Sequence, residues 1–194
     1  MDIQIDVTNT KIETPRLSLR PWRESDLGDL YEYASADGVG EAAGWKHHES
    51  IEETRSVLHA FMTEKNILAL ELKSAKKAIG SVGLHYSWAN GYAEFAALSV
   101  KEIGYVLSKS YWGQGLMSEA VGALIDYGFN TLELDALCVT HFLENNRSKR
   151  VIQKNGFAYV GRGEFISKSL NRTFPEDRYI LLRSDYEKQR KTDF

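Results

Sequence analysis

Tyr111-Trp112-Gly113-Gln114-Gly115-Leu116-Met117-Ser118-Glu119-Ala120 is the stretch from which the fold can be read. An extended-looking run, Glu102-Ile103-Gly104-Tyr105-Val106-Leu107, precedes it. A helical pattern follows, with Ala120, Leu124 and Ile125, then Tyr127 and Gly128, on the 3.6-residue period. Two glycines therefore fall in a short loop between a strand and a helix N-terminus. Glycine lets backbone approach a ligand closely and tolerates left-handed dihedrals. A helix N-terminus carries unpaired N–H groups and a partial positive charge, so it holds phosphate without a basic side chain. The chemistry is that of a pyrophosphate cradle, although alone the two glycines read equally well as a tight turn. No Gly-Lys-Ser/Thr follows, which excludes the Lys-bearing nucleotide loop. Gly113 and Gly115 are spaced as in a dinucleotide fingerprint, but Ser118 stands at the third required position.

The second half of the chain adds context. Ala136-Leu137-Cys138-Val139-Thr140-His141-Phe142 is β-rich. Asn145 suits a helix N-cap, Val151 and Ile152 its buried face, and Asn155-Gly156 its C-terminal stop. Phe157-Ala158-Tyr159-Val160-Gly161 is a further strand. In order, the chain carries Thr14-Pro15-Arg16-Leu17-Ser18-Leu19-Arg20, Trp112-Gly113-Gln114-Gly115-Leu116-Met117, Asn145-Asn146-Arg147-Ser148 and Lys154-Asn155-Gly156-Phe157. With these four motifs it resembles the GCN5-related N-acetyltransferase (GNAT) superfamily, in its branch of RimJ/RimL-like ribosomal-protein N-terminal acetyltransferases. The resemblance spans roughly residues 12–185. Met117 departs from it, since the family usually has Gly or Ala there.

The resemblance implies an α/β (α+β) fold with a mixed, mostly antiparallel central sheet splayed after strand four, in the order βααβββαβαββ. It implies acetyl-CoA as co-substrate, wedged into that gap; no metal is expected, because the adjacent His47-His48 pair is not matched by a second ligand pair at site-like spacing. Backbone near Leu107 meets the thioester and pantetheine, and the N–H groups of Gln114, Gly115, Leu116, Met117 and Ser118 hold the pyrophosphate, framed by Trp112 and Gly113. Asn145 aligns with the residue that contacts the pantetheine arm; its other reading, a helix N-cap, is compatible with that. Ser148 aligns with the position that protonates or hydrogen-bonds the leaving sulfur.

Composition bounds the alternatives. The chain has 194 residues and a formal net charge of −3, with 26% charged residues. These suit one globular domain and argue against nucleic acid as a partner, which needs a clustered basic surface. No apolar run approaches the roughly 20 residues of a membrane span. No signal-peptide pattern opens the chain, and one cysteine forms no internal disulfide, so a cytoplasmic location is expected. Cys138, in a predicted buried strand, reads as a small apolar side chain rather than a nucleophile. Residues 1–11 are expected as a lead, 12–185 as the domain and 186–194 as a tail, in a monomer or homodimer.

Along the chain, Leu17-Ser18-Leu19-Arg20 alternates as a half-buried strand does. Helices are expected after Glu24-Ser25-Asp26 and after the Ser50/Glu53 capping-box pair. Strands are expected over 67–72, 78–86 and, with a break, 92–107, with turns at 73–77 and Asn90-Gly91. A closing strand contains Tyr179-Ile180-Leu181-Leu182.

Acetyl transfer to an amine needs the thioester positioned, its carbonyl oxygen stabilised and the amine made neutral. The proton acceptor is Glu102, as a strand-four glutamate is in relatives, or Glu94; each also reads as a solvated carboxylate. His47 and His48 lie in the loop that borders the family's acceptor pocket, and histidine titrates near neutrality. Trp45, Tyr86 and Trp88 are candidates for lining that pocket, core packing being the other reading for each. The acceptor is a primary amine, on a protein N-terminus or a small molecule. A catalytically weak acetyl-CoA-binding sensor or interaction module is the alternative function.

Overall fold

A computed structural model describes residues 3–192. Its elements are β1 (Ile12–Glu13), β2 (Leu17–Pro21), α1 (Leu27–Ala34), α2 (Ile51–Glu64), β3 (Ile67–Leu72), β4 (Lys77–His85), β5 (Val100–Leu107), α3 (Leu116–Asn130), β6 (Ala136–Phe142), α4 (Asn146–Lys154), β7 (Ala158–Ser167), β8 (Arg172–Leu182) and α5 (Arg183–Thr192). The described strands form one sheet in the order β1-β2-β3-β4-β5-β6-β8-β7. Every neighbouring pair is antiparallel except β5 and β6. The mixed, mostly antiparallel architecture is the expected one, extended by β1 at its start and α5 at its end.

Strand periodicity divides the core. Leu68 and Leu70 of β3 join Leu17 and Leu19 of β2 and pack with Val121, Leu124 and Phe129 of α3. Ala69, between them in sequence, belongs to the opposite face, with Leu30 and Tyr33 of α1 and Leu58 of α2. Burying each of these large side chains contributes about 1.5–3 kcal/mol. The Ser50 hydroxyl caps α2 by accepting from Glu53 N–H at 3.1 Å. The box is not reciprocal, because the Glu53 carboxylate takes the Glu49 N–H instead.

The sheet opens where the parallel pair ends. β5 and β6 are in register at Val100↔Ala136, Lys101↔Leu137 and Glu102↔Cys138. Residues 103–107 and 139–142 then run on without pairing to each other. Backbone groups and side chains on both sides of this gap are left facing a cleft.

Three expectations about local structure change. The strand expected over 92–107 begins only at Val100. Residues 88–95 instead fold into two short 3-10 turns, Trp88–Gly91 and Ala93–Phe95. The Trp88 ring meets Tyr92 and Phe95 edge-on, at 5.6 Å and 6.2 Å, contacts an extended strand would not make. The expected lead is tied down: Ile5 and Val7 are buried, and Val7 N–H donates to Lys65 O at 2.8 Å. The expected tail forms most of α5, whose Tyr186 stacks on Phe129 at 4.7 Å. Residues 1, 2, 193 and 194, at the ends of that lead and tail, lie outside the described residues. Among the described residues no helix is long and apolar enough to cross a membrane.

Candidate active site

Two hollows flank the gap between β5 and β6 and share Ala42, Ala43, Tyr105, Val106, Asn145 and Ser148. One runs from these residues to Gly113, Gly115 and the start of α3. The other, of about 570 Å³, extends across the opposite sheet face under Trp45 and Trp88. That volume lies within the roughly 300–1,000 Å³ of small-molecule sites.

The first hollow ends in a built cradle. Gly113 and Gly115 both have left-handed backbone, at φ +78° and +76°. A Cβ on Gly113 would meet nothing within 4 Å, and one on Gly115 only Arg16 Nη2 at 3.6 Å. The glycines serve the backbone conformation and keep the outer face of the loop bare. The opening motif explains what holds the loop. Arg16 Nη1 donates to Gln114 O at 2.9 Å, and its Nε to Glu119 at 2.6 Å. Glu119 also accepts from Thr14 Oγ1 at 2.6 Å and from Arg16 N–H at 2.8 Å. Trp112 Nε1 donates to Leu107 O at 2.8 Å, tying the loop to the end of β5. Met117, on the first turn of α3, packs into the core and also lines the hollow. Across the hollow, α4 presents Arg147, Arg150 and Lys154, with the Arg147 guanidinium 3.9 Å from the Trp112 ring centre. Bare glycine backbone, a helix N-terminus and three cations fit a pyrophosphate-bearing nucleotide.

The rim shared by the two hollows is polar. Asn145 Oδ1 accepts from Ser148 N–H at 3.1 Å, and its Nδ2 donates to Ala42 O at 3.1 Å. The capping reading of Asn145 is thus correct, and both of its amide ends already have protein partners. Ser148 Oγ lies 2.7 Å from Tyr105 Oη. Tyr105 is a candidate site residue that sequence reasoning missed; its place in the run Glu102–Leu107 just before the glycine loop was the available signal. Burial pushes the Tyr105 phenol well above its ordinary value.

In the second hollow Glu102 accepts from Thr140 Oγ1 at 3.2 Å and from Trp88 N–H at 3.3 Å. Burial pushes its pKa up to about 7, the two hydrogen bonds oppose this, and nearby Glu176 adds to it. His85 is its direct neighbour across the β4–β5 ladder. Its ring lies over Gly104, where a Cβ would come within 2.9 Å of it. Burial, reinforced by the charge of Lys101, pushes His85 below its ordinary value. Glu176, also missed from sequence, is buried in the same hollow.

The structure brings together Glu102, Trp45, Trp88, Asn145 and Ser148, and leaves out four other candidates. His47 Nδ1 is 2.8 Å from Glu41, away from the lining, and that hydrogen bond raises its pKa. His48 packs against the Trp45 ring and bonds Thr54 Oγ1 at 2.8 Å, with burial lowering its pKa. Tyr86 follows the end of β4 and is 66% exposed, so it does not line the hollow. Glu94 sits exposed in the second 3-10 turn, which replaces the expected strand. Among the described residues no group of His, Cys, Asp and Glu is arranged to hold a metal.

Residues 16–158 match the family model described as "Acetyltransferase (GNAT) domain". The chain belongs to the GNAT acetyltransferases. It is 31% identical over 159 residues to an uncharacterized N-acetyltransferase, YoaA, of Bacillus subtilis (strain 168), covering 77% of this chain and 84% of that one. A shorter match, 36% identical over 69 residues, is to the ribosomal-protein-serine acetyltransferase of Escherichia coli (strain K12), covering 34% of this chain and 38% of that one. Among solved structures, a GNAT-family acetyltransferase from Bacillus anthracis superposes with a TM-score of 0.75 at 25% identity, covering 90% of this chain and 99% of that one. The GNAT match takes in the glycine loop, Glu102 and Ser148.

Proposed function

We propose that this GNAT protein is an acetyl-CoA-dependent N-acetyltransferase that acts on a primary amine by direct attack. One observation carries the reading. A nucleotide cradle and a cavity holding a carboxyl group that titrates near neutrality meet at the Tyr105–Ser148 pair. Acetyl-CoA supplies the acetyl group as an activated thioester. Gly113, Gly115 and the α3 N-terminus hold its phosphates, with Arg147, Arg150 and Lys154 opposite. Glu102 takes the proton from the incoming ammonium, because a carboxylate with pKa about 7 is half ionised at neutral pH and basic enough for the task. Tyr105 and Ser148 place hydroxyl donors at the junction, where the sulfur departs. The phenol, held above its ordinary value, stays protonated, so it stabilises the thiolate by hydrogen bonding rather than by full proton transfer.

The acceptor is either a protein N-terminus, a reading supported by an Escherichia coli relative named as acting on a ribosomal-protein serine, or a small amine. The test is thiol release from acetyl-CoA over a panel of both acceptor types. Turnover with any member supports the reading. Tight acetyl-CoA binding with no turnover across the panel would replace it with the sensor module.

A further inference from the structure

The composition of the acceptor cavity narrows the amine. Its walls come from five parts of the chain and are aromatic: Trp45, Phe61 on α2, Trp88, Phe142 on β6 and Phe165 on β7. The carboxyl groups of Glu102 on β5 and Glu176 on β8 also line it. None of the described lining residues is Lys or Arg; of its two histidines, His85 is pushed by burial toward its neutral form, and His141 already has Phe142 O and Tyr179 Oη as ring-nitrogen partners. Arg178 stands outside the lining, with its Nε donating to Glu176 at 3.0 Å and its Nη1 to Tyr92 Oη at 3.0 Å. At the α4 N-terminus, whose Asn145 and Ser148 line the cavity, the Ser148 N–H is taken by Asn145 Oδ1.

We propose that this cavity takes a small primary amine on an apolar body, such as an arylalkylamine, that bears no carboxylate or phosphate. The inference deepens the acetyltransferase reading and rests on it for the reaction, though not for binding. An ammonium entering the cavity is attracted by the two carboxyl groups and by aromatic ring faces. The rest of the molecule buries apolar surface against the same rings. An anionic group would be desolvated with no Lys or Arg in the lining to receive it, since the nearby Arg178 guanidinium is already bonded to Glu176, and an unpaired buried charge is costly.

The test is calorimetric titration of the protein loaded with CoA, which permits binding without turnover, at pH 8, where Glu102 is mostly ionised. The ligands are 2-phenylethylamine and phenylalanine, which differ by one carboxylate, and a short C-terminally amidated peptide with a free N-terminus. We expect 2-phenylethylamine to bind at least tenfold more tightly than either of the others. Glu176→Gln should shrink the discrimination against phenylalanine at least threefold, because it leaves the Arg178 charge uncompensated. Glu102→Gln should shrink it by removing the other carboxylate, which keeps the test open if the first variant does not fold. Equal affinities, tighter binding of phenylalanine or of the peptide, no binding of the amine, or discrimination unchanged in both variants would each overturn the proposal. Thiol release with acetyl-CoA is measured separately. Binding of 2-phenylethylamine with the expected preference, while neither it nor any member of the acceptor panel is acetylated, would uphold the cavity assignment and overturn the acetyltransferase reading instead.

Discussion

Tyr105 Oη and Ser148 Oγ meet at 2.7 Å across the opening between β5 and α4. This contact lies on the boundary between the nucleotide hollow and the acceptor cavity, and both residues line both. It joins an element from each side of the splay, at the point where the proposed reaction places acyl transfer.

From that contact follows an expectation for its removal. Tyr105→Phe and Ser148→Ala should each lower kcat by roughly tenfold, the scale of one hydrogen bond worth about 1.4 kcal/mol in the transition state. The double variant should lose little more than either single one, since the two hydroxyls act as a unit. Additive losses in steady-state kinetics would show that they work separately.

Glu102→Gln should cut kcat by roughly a hundredfold, the low end for general-base catalysis, with little change in acetyl-CoA affinity. The wild-type rate should rise with pH through an apparent pKa of about 7. In the variant that limb should disappear, leaving only the deprotonation of the amine itself. His47→Ala and His48→Ala should leave the profile in place, because neither side chain reaches the cavity. A histidine variant that abolished the limb while Glu102→Gln stayed active would move the base to the loop before α2.

The same carboxyl group makes stability depend on pH. Its folded-state pKa of about 7 lies above its ordinary value of 4.5, so the neutral form is favoured by folding. Its contribution is fully present below about pH 4.5 and is lost as pH rises through about 7. The loss is on the order of 3–4 kcal/mol, since each pKa unit corresponds to about 1.4 kcal/mol. Glu102→Gln should therefore gain stability relative to wild type as pH is raised from 5 to 8. Urea unfolding at a series of pH values would reveal this, and parallel curves for the two proteins would contradict it.

Gly115→Val should weaken acetyl-CoA binding at least tenfold while the protein stays folded. The substitution disfavours the +76° backbone by roughly 1–3 kcal/mol and puts a branched side chain on the bare face of the cradle. Acetyl-CoA should raise the melting temperature of wild type far more than NADH or ATP does, and of the variant hardly at all. An unchanged shift in the variant would remove the loop from the phosphate site.

Arg16→Met should also weaken acetyl-CoA binding, by several-fold, through loss of its bonds to Gln114 O and Glu119. Its Michaelis constant for acetyl-CoA should rise with kcat nearly unchanged, because the residue shapes the loop and lies away from the reacting atoms. A fall in kcat alone would contradict that role.

What could be read from the chain alone is whatever depends on near neighbours in sequence. Positive φ at Gly113 and Gly115, a strand before them and a helix after them are local properties, and so is the Asn145 cap on Ser148 N–H. These suggested the nucleotide cradle, and with the other motifs they carried the family resemblance from which the fold class was read. The composition around Asn90-Gly91 also announced a turn, but the β-rich aromatics beside it were read as strand. Their ring-on-ring packing drew residues 88–95 into 3-10 turns instead. Preferring Glu102 to Glu94 needed the tertiary structure: the sheet register sets the half-buried Glu102 opposite His85, and the 3-10 turn leaves Glu94 exposed. The loss of His47, His48 and Tyr86 from the acceptor cavity, and the gain of Tyr105 and Glu176, came from the same source. Hydrogen-bond partners, burial and a shifted pKa are set by groups distant in sequence, and only the packed sheet and helices bring those groups within reach of one another.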